Sequence, residues 1–114
     1  MNIILCVGKI AMPTFITLIE IGAEHQAKNL QNVRERYEEA VEIVESNGGE
    51  VKGTYFGDIA GYDVLTISEF PDRQSFDKAD ILYNMSEEVK ADAVEVRPYD
   101  EFASLVDEAL SEMG

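Results

Sequence analysis

The sequence predicts one α+β domain with the element order β-α-β-β-α-β and a further helix at its end. Three observations lead there. A β-branched, apolar run fills residues 15–21, two later stretches place apolar residues every three or four positions, and a short glycine-bearing link joins two alternating segments in between. The 114 residues suit one domain, since about 100–150 residues is the commonest size for a chain with its own core.

The run FITLIEI is apolar on both faces, which suits a central strand. After Gly22, the residues Ala27, Leu30, Val33, Tyr37, Ala40, Val41 and Val44 recur at helical spacing, with Glu35, Glu38, Glu39 and Glu42 between them. This predicts one long amphipathic helix. Ser46-Asn47-Gly48-Gly49 ends it, because glycine accepts the left-handed backbone that closes a helix. EVKGTYFG then alternates as a strand, the turn DIAG follows, and YDVLTISEF forms the second arm of an antiparallel hairpin. Pro71 stops that strand and Asp72 is placed to cap the next helix, whose buried stripe is Phe76, Ala79, Leu82 and Tyr83. A fourth strand is expected over residues 91–99. Asp100 is the expected cap of a last helix carrying Phe102, Leu105, Val106, Ala109 and Leu110. Right-handed crossovers turn this order into a four-stranded antiparallel sheet with both main helices on one face.

If Leu65, Ile67, Val94 and Val96 point toward the helices, then Tyr62, Val64, Thr66, Ser68, Glu95, Arg97 and Tyr99 occupy the other face. That second face, with a Glu95/Arg97 pair and an apolar first strand, is too apolar for bare water. It is also too polar for a helix-packed core. A homodimer that encloses a cavity between two sheets satisfies both conditions.

Charge narrows the partners. The chain has 23 acidic and 9 basic residues, a formal net charge of −14, and a field of that sign repels phosphate backbones and anionic lipid. Neither nucleic acid nor a membrane surface is an expected partner. Cys6 is the only cysteine, which rules out an internal disulfide and a multi-cysteine metal site and suits a cytoplasmic protein. Residues 1–11, MNIILCVGKIA, form an N-terminal extension that lacks the basic start and cleavage pattern of a signal peptide and is expected to form a strand added to the sheet or lying across the dimer, the alternative being that translation begins at Met12; residues 12–114 form the domain.

MPTFITLIE, KNLQNVRER, NGGEVKGTYF and above all GYDVLTISEFPD resemble, in the same order, the GYD domain family, named for its Gly-Tyr-Asp motif. The resemblance runs from Met12 to the last helix. It implies a ferredoxin-like fold assembled as a dimeric α+β barrel, and it brings no established reaction. Residues 1–11 precede the usual family start, and VEVRPY stands where relatives carry a Thr/Leu/Arg/Ala-like segment.

No catalytic residue is assigned from the sequence, and neither a metal site nor a cofactor is expected. The candidate pocket or motif residues are Tyr62, Asp63, His25, Arg97, Tyr99 and Tyr55. Gly61-Tyr62-Asp63 has a structural reading, in which Gly61 supplies an unusual backbone angle, Tyr62 packs its ring and Asp63 accepts from turn amides. Its functional reading makes Tyr62 a proton donor at a cavity mouth, oriented by Asp63. His25, the only histidine, reads as an exposed residue at a helix start, and the alternative is a general base or haem ligand. Arg36 is expected to pair with Glu39. No phosphate-binding glycine loop or nucleophile elbow is present. AGYDVLTI has the outline of the aromatic strand of RNA-recognition domains but lacks its basic and stacking residues. The function expected is that of a homodimeric small-molecule-binding protein. The alternatives are a cofactor-independent monooxygenase or isomerase, and a structural interaction module.

Overall fold

The computed structural model describes residues 12–86 and 88–113; the expected N-terminal strand lies outside them. The elements are β1 (Thr14–Ile21), a 3-10 turn (Ala23–His25), α1 (Gln26–Gln31), α2 (Val33–Ser46), β2 (Glu50–Ile59), β3 (Tyr62–Glu69), α3 (Arg73–Asn84), β4 (Val89–Val96) and α4 (Tyr99–Met113). Every strand pairing is antiparallel, and the sheet order is β2-β3-β1-β4. This is the predicted ferredoxin-like arrangement, with the extra C-terminal helix.

The long first helix of the sequence reading is divided. At Asn32 the backbone leaves helical geometry (φ −114°, ψ 27°) and the side-chain amide donates to the Lys28 carbonyl at 3.0 Å, the kind of local competition by which asparagine disfavours helix interiors. α2 then closes as predicted. Gly48 takes φ 82°, and the amides of Gly48 and Gly49 donate to the carbonyls of Glu45 and Val44. A Cβ on Gly49 would lie 2.8 Å from the Phe70 ring, so only glycine lets the chain pass there.

Asp72 caps α3 as expected, accepting from the Ser75 amide at 2.8 Å. Its carboxyl is held below the ordinary aspartate value by that bond. α4 begins one residue before the expected cap, at Tyr99, which leaves Asp100 inside its first turn. β4 begins earlier than predicted, at Val89, where it pairs with Ile21 of β1, and ends at Val96, ahead of Pro98, which cannot donate to a ladder.

The core gathers at one end of the layer between helices and sheet. Phe15, Val44, Phe70, Phe76 and Ala79 are buried together. The Phe15 and Phe76 rings stack with centroids 3.9 Å apart, and Phe70 meets both edge-on at 5.9 and 5.5 Å. Each fully buried phenylalanine stabilises by about 1.5–3 kcal/mol, and each ring pair adds about 0.5–1.5 kcal/mol.

Phe15 also decides which face is which, and the sequence reading had it reversed. Phe15, Thr17 and Ile19 pair with Ser68, Thr66 and Val64, and Phe15, Thr17, Val64 and Ser68 are buried. Those β3 residues therefore face the helices. Ile16 and Leu18 pair with Ile67 and Leu65 on one side and with Val94 and Asp92 on the other, which puts Leu65, Ile67, Val94 and Val96 on the face opposite α1, α2 and α3. The helix-free face is thus more apolar than expected.

The β2–β3 hairpin turns on Ala60 (φ 53°) and Gly61 (φ 92°), both left-handed, as a type I′ turn requires. Alanine in that conformation costs about 1–2 kcal/mol. Ala60→Asn is expected to raise stability by about 0.5–1 kcal/mol, since Asn-Gly is the favoured pair for this turn. An unchanged or lowered urea midpoint for the variant would contradict this account of the turn.

Candidate functional site

Behind the aromatic core, α2 and the sheet part to leave a cavity of about 280 Å³. Its walls are mostly apolar. Ile19 and Ile21 come from β1, Val33 and Tyr37 from α2, and Phe56 and Val64 from the hairpin. Polar groups enter from Thr54, Thr66, Arg36 and Glu88.

Glu88, ahead of β4, anchors one side. Its carboxylate accepts from Lys28 Nζ at 2.9 Å and lies 3.0 Å from Arg36 Nη2, tying α1 and α2 to the start of β4. The lysine bond, with the Arg36 and Lys28 charges, holds the Glu88 carboxyl below the ordinary glutamate value. Arg36 also pairs with Glu39, the contact expected from sequence, at 3.9 Å. Arg36 Nε is buried and has no hydrogen-bond partner among the described residues. On the α3 side, Tyr83 donates to the Ala40 carbonyl at 3.1 Å, and burial pushes its phenol up to about 12. It therefore stays a neutral donor at any physiological pH.

The six residues singled out from sequence do not converge, and none lines this cavity. Tyr62 lies at the polar end of the helix-free face, where its hydroxyl donates to Asp92 at 2.8 Å; that bond raises its pKa, which works against a tyrosinate. Asp63 accepts from the Ile21 amide of β1 at 2.8 Å, not from turn amides as the motif suggested. Asp58 takes the turn role, accepting from the Gly61 amide at 3.4 Å. His25 is half-buried beside Gly22, 3.6 Å from Glu24, where an exposed position was expected. Arg97 pairs with Glu101 at 2.6 Å and Glu95 with Arg73 at 3.3 Å, so the expected Glu95/Arg97 pair does not form. Tyr99 opens α4, 81% exposed, and Tyr55 lies exposed on β2 over Gly53. Among the described residues, no group of three or more potential ligands is placed to hold a metal ion.

The profile of the GYD domain matches residues 15–106. The chain belongs to the GYD domain family. The matched GYD span holds the sheet from Phe15 onward and every cavity residue named above, and it ends within α4. No curated protein matches the sequence. Among solved structures, 30S ribosomal protein S6 from Thermotoga maritima is 13% identical, with a TM-score of 0.53 over 89% of this chain and 98% of that one. This likeness shows the ferredoxin-like fold alone.

Two measurements test the geometry. Glu88 has a depressed folded pKa, so its contribution to stability is fully present above the ordinary glutamate value of 4.5 and is lost as pH falls through its lower folded value. Glu88→Gln is expected to lower the urea midpoint at neutral pH and to flatten its fall on acidification. Equal acid limbs for the two proteins would refute the clamp. At the motif, Tyr62→Phe is expected to cost less than Asp63→Ala, because the Tyr62–Asp92 bond is exposed and both groups can turn to water, whereas Asp63→Ala leaves the part-buried Ile21 amide without its acceptor. Thermal unfolding showing the reverse order would remove the structural account of Asp63.

Proposed function

We propose that this GYD-family protein is a homodimer that binds a small, largely apolar molecule carrying one hydrogen-bond acceptor in the cavity between α2 and the sheet. The observation that carries the reading is an apolar cavity into which only a few polar residues, Thr54, Thr66, Arg36 and Glu88, enter. The threonine hydroxyls and the Arg36 guanidinium can donate to a ligand carbonyl, hydroxyl or carboxylate oxygen while its carbon skeleton covers Ile19, Val33 and Phe56. Such a site, apolar with a few converging polar groups, is the usual form of small-molecule pockets.

The dimer half of the reading is supported by Ile16, Leu18, Leu65, Ile67 and Val94, a continuous apolar patch on the sheet face that no helix of α1–α3 covers. The pocket sits inside each protomer, displaced from the expected position between two sheets. The polar end of the open face, where Tyr62 and Asp92 meet, is where the alternative enzymatic reading would place chemistry. Both groups there are already engaged with each other.

Ala40→Phe projects a ring from α2 into the chamber. Native mass spectrometry of the purified protein is expected to find a small molecule released on denaturation, and a fluorescent apolar probe to bind once per protomer. The variant is expected to lose both while melting at an equal or higher temperature. Undiminished probe binding by a folded Ala40→Phe protein would sink the assignment of this cavity.

A further inference from the structure

α4 is an amphipathic helix, and among the described residues its apolar side is left exposed. Phe102, Leu105, Val106, Ala109, Leu110 and Met113 follow the three-four spacing of a single stripe. None of the helix is buried, and the large residues of the stripe are 37–85% exposed. The opposite side carries Asp100, Glu101, Asp107, Glu108 and Glu112, and the helix holds no lysine or arginine.

We infer that α4 is a reciprocal arm: in the dimer its apolar stripe lies on the helix-free sheet face of the partner protomer. The inference rests on the dimer reading above and names what covers that face. Four observations lead to it. The first is that, among the described residues, one chain presents two apolar surfaces without a covering element, a helix stripe and a sheet face, and an exchange about a two-fold axis buries both in each copy. The second is length: the stripe from Phe102 to Met113 rises about 17 Å at ~1.5 Å per residue, and the four strands span about 14 Å at ~4.8 Å spacing.

The third is position. On the open face the polar groups Glu20, Asp92 and Lys90 lie toward one end, and Ile16, Ile67, Val94 and Val96 toward the other. β4 runs toward the apolar end, and α4 leaves from there after only Arg97 and Pro98. The fourth is charge. Pairing α4 with its own copy would set carboxylate edges against each other with no basic residue on either helix to offset them. Anionic membrane is disfavoured for the same reason, since interfacial helices carry basic polar faces. Laid on the sheet, α4 turns its acidic side to water.

The test uses the full chain in a Cys6→Ser background. A Leu110→Cys protein is mixed with a tagged Val94→Cys protein and treated with a short bis-maleimide. The expected product is a covalent pair joining position 110 of one chain to position 94 of the other. Crosslinks formed chiefly between two Leu110→Cys chains would overturn the arm in favour of helix pairing. In parallel, Leu105→Glu/Leu110→Glu is expected to raise the dimer dissociation constant at least 100-fold in sedimentation equilibrium, with an unchanged protomer melt, and Asp107→Ser to leave it unchanged. A dimer with unaltered affinity after the stripe change overturns the arm and leaves the dimer reading standing. A wild-type chain that is monomeric at micromolar concentration overturns both.

Discussion

The stacking of Phe15 on Phe76, with Phe70 edge-on to both, is the contact from which the rest of this structure is arranged. It joins the central strand, the exit of β3 and the first turns of α3 in one cluster, and Arg73 lies over the two stacked rings at 5.6 and 5.7 Å. Val44 brings the end of α2 into the same cluster, and Gly49 lets β2 begin directly against Phe70. Packing is therefore tight at one end of the layer. Farther along, α2 is held by a hydrogen bond from Tyr83 and an ion pair to Glu88, contacts that fix a separation without filling it. The chamber persists because polar struts hold α2 off the sheet where the aromatic wedge no longer reaches.

What was legible in the sequence was local. Helix and strand periods, the Gly48 stop, the Asp72 cap and the hairpin link each depend on a few neighbouring residues, and they hold apart from the break at Asn32 and the shifted bounds of β4. The facing of β3 was not legible, because YDVLTISE offers Leu65 and Ile67 to one side and Val64, Thr66 and Ser68 to the other, and hydropathy favours the wrong one. Phe15 reverses that preference. Its ring needs the helix side, and the register then carries Ser68 and Thr66 inward with it, where Ser68 is only 3% exposed. A small hydroxyl beneath a cluster of three rings fills space that a larger residue would overpack.

The candidate site was less legible for a related reason. Arg36 and Glu88 are far apart in the chain, and each alone is an ordinary charged residue. Only the fold makes them neighbours, and their ion pair stands at the edge of an apolar cavity. The Gly-Tyr-Asp motif drew attention because it is compact, yet its aspartate serves β1 and its tyrosine serves β4. Those bonds hold three strands together at the end of the sheet remote from α4. A sequence signal available in advance was the hairpin's Asp58-Ile59-Ala60-Gly61, whose own aspartate can serve the turn amide and so frees Asp63 for a longer reach.

The charge of −14 acquires a structural meaning once the cations are followed to their partners. Lys28 and Arg36 converge on Glu88, Arg73 bridges Asp77 and Glu95, and Arg97 holds Glu101 at the start of α4. Much of the positive charge is thus engaged in joining elements, and the excess carboxylates are left on exposed sides such as the outer face of α4. In the proposed dimer, repulsion among those sides would restrict the orientations in which two copies could meet. Contacts that set acidic surfaces together are disfavoured, and the apolar sheet face and the apolar side of α4 are the large surfaces on which approach carries the least repulsion. In the proposed dimer those two apolar surfaces, set within an acidic exterior, would determine how the copies meet.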